Sequence, residues 1–357
     1  MTMKMDKQVT QKDVAQHAGV SVAVVSYVIN KGPRQVSDET KQRVLAAVRV
    51  LGYQPNKFAR ALGRNDGKVA ANQIGIIVGG TATILQRPFY AAVLSGIYDK
   101  VHEQGNRIRF MHFWDDLKDD VLFNEHVRED EVSSLILLAA DLMRVDPAHM
   151  DIIKQLEARI DNIVCLDTEI NNFTTVTFDR VAAARLVVEH FIRLGHRRIG
   201  FIGNAGRRVM GYRQTLEQHG LEVVPDYIQH PGVYNSSEEG FKGAQAMLAL
   251  KVVPTAIFAA SDEVAIGVLG AVQKAGLRVP EDMAVASIDN SSFAPFTQPP
   301  LTTVNVPTEQ MGAYALHVIN TQKSAPKLSR TTITIDTELV VRESCGAGSS
   351  TLLGNRK

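Results

Sequence analysis

The stretch VTQKDVAQHAGVSVAVVSYVIN, residues 9–30, decides the first part of the fold. Thr10 stands three residues ahead of Asp13, a spacing that lets a hydroxyl cap the free N–H groups of a starting helix while an acid meets its positive end. Val14, Ala15 and Ala18 then line one side, and Gly19 ends the helix. Gly19-Val20-Ser21 predicts a tight turn. Glycine admits the left-handed backbone there, and Ser21 caps a second helix through Asn30 with Val24, Val25 and Val28 inward. A third helix is expected over 38–51, capped by Ser37, with Val44, Leu45, Val48 and Leu51 on one face and Gly52 as its stop. Two helices joined by a glycine turn and braced by a third form a helix-turn-helix, although the same pattern also suits a plain three-helix bundle.

Charge favours the first reading. Residues 1–64 hold eleven Lys and Arg against four acids, a net +7, so the remainder carries −6 of the chain's overall +1. A basic head on an acidic body is the distribution of a polyanion-binding module joined to a separately soluble domain. Working outward, YQPNKFARALGR (53–64) places Pro55 at a helix start with Phe58, Ala59 and Leu62 at helical spacing. Two turns are too short to persist alone in water, so this hinge helix, about 55–63, is expected to form only when docked. Residues 65–72, opening with Asn65-Asp66-Gly67, read as a linker.

From 73 to 345 apolar strands alternate with amphipathic helices. The strands read from sequence are 74–78, 107–113, 134–138, 162–166, 198–203, 255–259 and 283–288. That rhythm predicts βαβ units, hence parallel sheets with helices on both faces. A break near Asp167 divides them into two sets, giving a bilobed α/β body with two parallel sheets and a ligand cleft at the strand C-termini. Asp167, Ser261, Asp262 and Asp289 each stand just past such a strand, with Asp262 expected to cap the helix that follows.

Several function classes are disfavoured. The start MTMKMDKQVTQKD lacks the apolar segment of a signal peptide, and Cys165 and Cys345 are too few for a disulfide framework, so a cytoplasmic protein is expected. No phosphate-binding glycine loop, metal-spaced histidines or Ser/His/Asp set is visible, so neither enzyme, cofactor nor metal is expected. The tail 346–357, GAGSSTLLGNRK, is Gly/Ser-rich with one Leu-Leu pair and no leucine heptads, so it reads as disordered and a dimer rather than a tail-dependent tetramer is expected.

The run 9–30, together with VSDETKQRVLAAVRVLGYQPNKFARAL (36–62), resembles the DNA-binding head of the lactose-repressor/galactose-repressor (LacI/GalR) family across its whole length. Body segments such as RPFY, LGHRRIGFIG, RRVMGYRQTL and PPLTTVNVP resemble the same family and its relatives, the periplasmic sugar-binding proteins. The resemblance implies an all-α helix-turn-helix head on a periplasmic-binding-protein-like body whose chain crosses between lobes three times. Lobe 1 is then about 73–167 and 303–330, and lobe 2 about 168–302 and 331–345. It also implies an operator-binding homodimer on a pseudo-palindrome, controlled by a small-molecule effector.

Position by position, the resemblance gives Ser21 and Asn30 phosphate contacts and places Val22, Ala23 and Tyr27 at base edges in the major groove. Thr10, Val24 and Ser26 complete the expected DNA-contact set. Here the sequence departs from the family: Tyr27 replaces an arginine able to grip guanine, and Val24 replaces a threonine, so readout leans on apolar contact with thymine methyls. Leu62 is implied as a wedge between base steps in the minor groove. In the body, Arg208 matches the family arginine that grips the effector and Asp289 an acid that accepts hydrogen bonds from it. Phe89, Tyr90 and Tyr234 supply apolar platforms, and Asp167 and Ser261 complete the set, Ser261 standing where many relatives carry Asn. A sugar is the expected effector, with a nucleobase or nucleoside as alternative. A sugar-binding transport protein would fit the body but not the basic head.

Overall fold

A computed structural model describes residues 9–29, 36–51, 53, 72–139, 147–170, 173–232, 234–324 and 331–347. Asn30, the hinge helix with Leu62, the linker up to residue 71 and the tail from residue 348 lie outside these residues.

The head holds three helices, α1 (Gln11–Ala18), α2 (Val22–Ile29) and α3 (Asp38–Leu51). Its start follows the sequence closely. Thr10 and Asp13 form a reciprocal capping box: the Asp13 amide donates to Thr10 Oγ1, and the Thr10 amide donates back to Asp13 Oδ2 at 2.8 Å. Gly19 ends α1 at φ +65, a left-handed conformation that favours glycine. Ser21 Oγ accepts the Val24 amide at the head of α2, and Ser37 Oγ that of Thr40 at the head of α3. Val14, Val25, Val28, Val44 and Val48 build the core, and Tyr53, beyond the end of α3, closes it. Val24 is partly buried and packs against this core, and Ile29 joins Val25 and Val28 inside it.

The body contains two six-stranded sheets. The first has the order β11-β5-β4-β3-β1-β2, built from β1 (Gln73–Val78), β2 (Arg107–Phe113), β3 (Ser134–Leu138), β4 (Ile163–Leu166), β5 (Thr174–Phe178) and β11 (Thr332–Ile335). The second has the order β12-β10-β9-β8-β6-β7, from β6 (Ile199–Ile202), β7 (Ile228–Gln229), β8 (Ala256–Ala259), β9 (Ala284–Asp289), β10 (Thr302–Asn305) and β12 (Glu338–Val340). The seven strands read from sequence are present. The described pairings are parallel apart from one edge, where β12 runs antiparallel to β10 with Thr303 opposite Val340. Both sheets are thus predominantly parallel, as the βαβ rhythm predicts, with this one antiparallel edge.

The helices of the body are α4 (Pro88–Val101), α5 (Asp120–His126), α6 (Pro147–Arg159), α7 (Arg180–Arg193), α8 (Arg207–Gln218), α9 (Ser237–Leu248), α10 (Asp262–Lys274) and α11 (Thr308–Ser324). Two compact units result, one of Met1–Ile84, Tyr98–Thr175 and Ala315–Thr331, the other of Leu85–Ile97, Val176–Tyr314 and Thr332–Lys357. Residues 85–97 and 303–314, which the sequence assigned to the first lobe, therefore group with the second unit. Trp114, Phe123, Leu135 and Leu156 belong to the core of the first unit, and Ile257, Val268, Val285 and Leu301 to that of the second.

Candidate DNA-reading face and effector site

The face of α2 follows from its periodicity. Val25, Val28 and Ile29 are buried, which leaves Val22 and Ala23 exposed and Ser26 and Tyr27 partly exposed. Val22 is 43% exposed, high for a valine beside a packed core. The hydroxyls of Thr10 and Ser21 are engaged as helix caps. The helix VAVVSYVI contains no acid, base or amide side chain.

In the second unit an aromatic cluster forms where β5 ends. Phe178, buried as the last residue of β5, lies 6.3 Å from Phe89, whose ring meets Tyr90 edge-on at 5.2 Å. Two guanidiniums reach Phe178, Arg180 at 4.5 Å and Arg208 at 5.8 Å from its ring centroid. Such contacts attract because the ring face is negative. Arg87, just ahead of Phe89, lies 6.0 Å from the Tyr90 centroid and pairs with Glu263 at 3.0 Å.

The motif R-x-x-G-Y around Arg208 has a packing reason. A Cβ on Gly211 would sit 2.6 Å from the Val181 carbonyl oxygen, so only glycine lets α8 lie this close to α7. Tyr212 is fully buried and its hydroxyl donates to the Ile199 carbonyl at 2.7 Å. Burial pushes that phenol above its ordinary range, so it stays a neutral donor. Together these fix the first turn of α8, and with it Arg208.

The strand ends of the second sheet hold the remaining predicted residues. Asp289 and Asn290 both adopt left-handed backbone, φ +126 and +56, at the end of β9. Non-glycine residues held in that region mark strained, functional strand ends when the surroundings over-determine them. Ser261 and Asp262 exchange their expected roles. Ser261 caps α10, its Oγ accepting the Val264 amide and donating to the Asn235 carbonyl. Asp262 is fully buried and accepts from Ser287 Oγ, Thr303 Oγ1 and the Ser291 amide, each at 2.6 Å. Burial raises its pKa while these donors pull it down. It ties three strand ends together rather than capping a helix.

Phe89, Tyr90 and Arg208 are thus brought together through Phe178, which the sequence reading missed along with Arg180 and Arg87. Tyr234 is 60% exposed and stands apart from the aromatic contacts. Asp167, buried with φ +75, belongs to the other unit. His196, read as a helix-end residue, lies just past α7 with Nδ1 2.9 Å from Thr255 Oγ1. Among the described residues no group of three or more His, Cys, Asp or Glu is arranged to hold a metal ion, and no helix is long and apolar enough to cross a membrane.

Residues 10–56 match the bacterial regulatory proteins of the lacI family, and residues 188–345 match the periplasmic binding protein-like domain. The HTH-type transcriptional repressor PurR of Mannheimia succiniciproducens is 31% identical over 345 residues, covering 94% of this chain and 98% of that one. The chain belongs to the LacI family.

As a LacI-family member it is a DNA-binding transcription regulator with an effector-binding domain, and the relatives it matches are repressors rather than enzymes. Two solved structures share the fold. The transcriptional regulator CelR–cellobiose complex superposes with a TM-score of 0.67 at 27% identity, covering 94% of this chain and all of that one. The lac repressor dimer bound to operator and the anti-inducer ONPF gives 0.66 at 25% identity, covering 95% of this chain and 99% of that one.

Proposed function

We propose that this LacI-family repressor binds a pseudo-palindromic operator as a homodimer and that its operator affinity is set by a sugar held on the second unit. The carrying observation is the cluster in which Arg208 meets Phe178 beside Phe89 and Tyr90. Aromatic faces cover the apolar side of a sugar ring, and a guanidinium with five fixed donors suits its hydroxyls. Asp289 supplies an acceptor, and Ser261 belongs to the same proposed set. Tyr234 joins as an exposed platform. The structural relative CelR is a cellobiose complex, which supports a sugar, and the aromatic rings would also accommodate the alternative, a nucleobase or nucleoside.

In this reading the head extends through residue 64. Thr10, Ser21, Val22, Ala23, Val24, Ser26, Tyr27 and Asn30 face the operator, and the hinge helix with Leu62 enters the minor groove at its centre. Effector binding favours one arrangement of the body and so shifts the hinge between bound and released populations.

A thermal-shift screen of the full chain against cellobiose, other sugars and nucleosides tests the reading. A ligand that binds only the folded state raises the melting temperature with its concentration, and Arg208→Ala should abolish the shift. A nucleoside hit without any sugar hit would favour the alternative, and a hit retained by Arg208→Ala would remove Arg208 from the site.

A further inference from the structure

The exposed face of α2 carries nothing able to grip a base by paired hydrogen bonds, and we propose that it reads the C5-methyl groups of pyrimidines in the operator. This rests on the operator-binding reading of the head and adds the chemistry that α2 recognises.

In the major groove, guanine is held by Arg or Lys, adenine by Asn or Gln, and cytosine by Asp or Glu, each through donors or acceptors on the base edge. None of these six residue types occurs between Val22 and Ile29. Thymine alone presents an apolar group on that edge. The first two positions of α2, where a recognition helix meets base edges, are Val22 and Ala23, both exposed and both apolar. The hydroxyl of Ser21, adjacent to them, already accepts the Val24 amide.

The placement follows from how α2 folds. Val25, Val28 and Ile29 pin one side of the helix into the head core, so the opposite side is fixed in orientation and faces outward. A helix without charged side chains adds little to the long-range attraction to phosphate. That attraction comes from the net +7 of residues 1–64 and carries no sequence information. Sequence information from the first two positions of α2 therefore lies in contacts between two small aliphatic side chains and two methyl groups on successive base pairs, beside which the hydroxyls of Ser26 and Tyr27 can each offer only single hydrogen bonds.

Burying one methyl changes affinity about fourfold, so two in a half-site change it roughly fifteenfold. The group read is the methyl and not the base pair. 5-Methylcytosine carries the same group at the same edge, so it substitutes for thymine in front of α2, and the chain responds to cytosine methylation of its operator.

The test is selection of duplexes by the full chain from three random libraries. One contains thymine, one has deoxyuridine in its place, and one combines deoxyuridine with 5-methylcytosine in place of cytosine. The thymine library should yield half-sites with thymine at two successive positions before α2. A selected duplex remade with deoxyuridine at those positions should bind roughly fifteenfold more weakly per half-site. The third library should enrich 5-methylcytosine at the same places.

Val22→Ala, at an exposed position that leaves the core intact, should shrink the thymine-to-deoxyuridine difference severalfold. Equal affinity for thymine and deoxyuridine duplexes, or selected half-sites lacking a pyrimidine at those positions, overturns the proposal. Salt-sensitive binding without methyl preference keeps the operator reading and removes only this one. Binding to none of the three libraries removes both.

Discussion

Arg342 Nη2 donates to Asn290 Oδ1 at 2.7 Å, while Nη1 of the same guanidinium donates to the Leu301 carbonyl at 2.7 Å. One planar fork thus clamps two strand ends of the second sheet, and Asn290 passes the restraint to Asn305 through its Nδ2 at 3.0 Å. Asn290 follows Asp289 directly, so the strained pair at the end of β9 is held from the C-terminal segment of the chain. Arg342 lies only two residues beyond β12, and β12 follows β11 in the other sheet after a short connection.

Arg342→Ala should cost about 2–3 kcal/mol, since two hydrogen bonds to a charged donor are lost. Arg342→Lys should recover less than half, because an ammonium cannot reproduce the fork. Urea unfolding gives the cost, and amide exchange over 288–292 should accelerate more than exchange over β6 and β8. An unfolding midpoint unchanged in both variants would show that the clamp contributes nothing.

Gly211→Ala should lower the melting temperature. The new Cβ would meet the Val181 carbonyl at 2.6 Å and the Ala184 Cβ at 2.9 Å, neither of which is a flexible side-chain end. Overpacking of this kind costs about 1–3 kcal/mol. Because Arg208 lies one turn earlier on α8, any ligand found by thermal shift should also bind this variant more weakly. Calorimetry showing a wild-type melting temperature would mean that α7 and α8 separate at no cost.

The head was legible because its signals are local. Thr10 with Asp13, Gly19 and Ser21 are caps and stops whose partners lie within a few residues, so chain order alone specifies them. Most of the recovered strands are continuous apolar runs such as SLILL, buried throughout, whereas RIRFMHF interleaves charged and apolar residues and buries only Phe110. The strands that escaped reading are threonine-rich or short: TTVTF, IQ, TTVN, TITI and ELV, with TITI alternating between exposed and half-buried residues. Losing β5 also hid Phe178 and Arg180, and with them the centre of the aromatic cluster. Ser261 and Asp262 show a different limit. Both residue types cap helices well, and what separates them is Ser287 and Thr303, distant in sequence, which draw Asp262 inward.

Asp262→Ala should be among the most damaging substitutions in the body. It leaves the Ser291 amide and two buried hydroxyls without their shared acceptor, and each buried donor left unsatisfied costs about 1–3 kcal/mol. Asp262→Asn keeps the shape but turns an NH2 toward one donor, so it should recover only part of the loss. Denaturant titration of both variants decides this, and a loss under about 1 kcal/mol for the alanine variant would show that the knot is dispensable.

Acid should destabilise the second unit through His196. Burial, reinforced by the nearby His190, holds its pKa at about 4 against an ordinary 6.5. The folded state therefore keeps the ring neutral where the unfolded chain takes up a proton. Stability from this group is complete above about pH 6.5 and is lost as pH falls toward 4, by up to about 3 kcal/mol. His190, lowered by burial in the same direction, adds to the slope. His196→Asn should flatten the dependence of unfolding free energy between pH 6.5 and 4 while costing some stability at pH 7 through the lost contact to Thr255. If wild type and variant lose equal stability across that window, the acid sensitivity belongs to other groups.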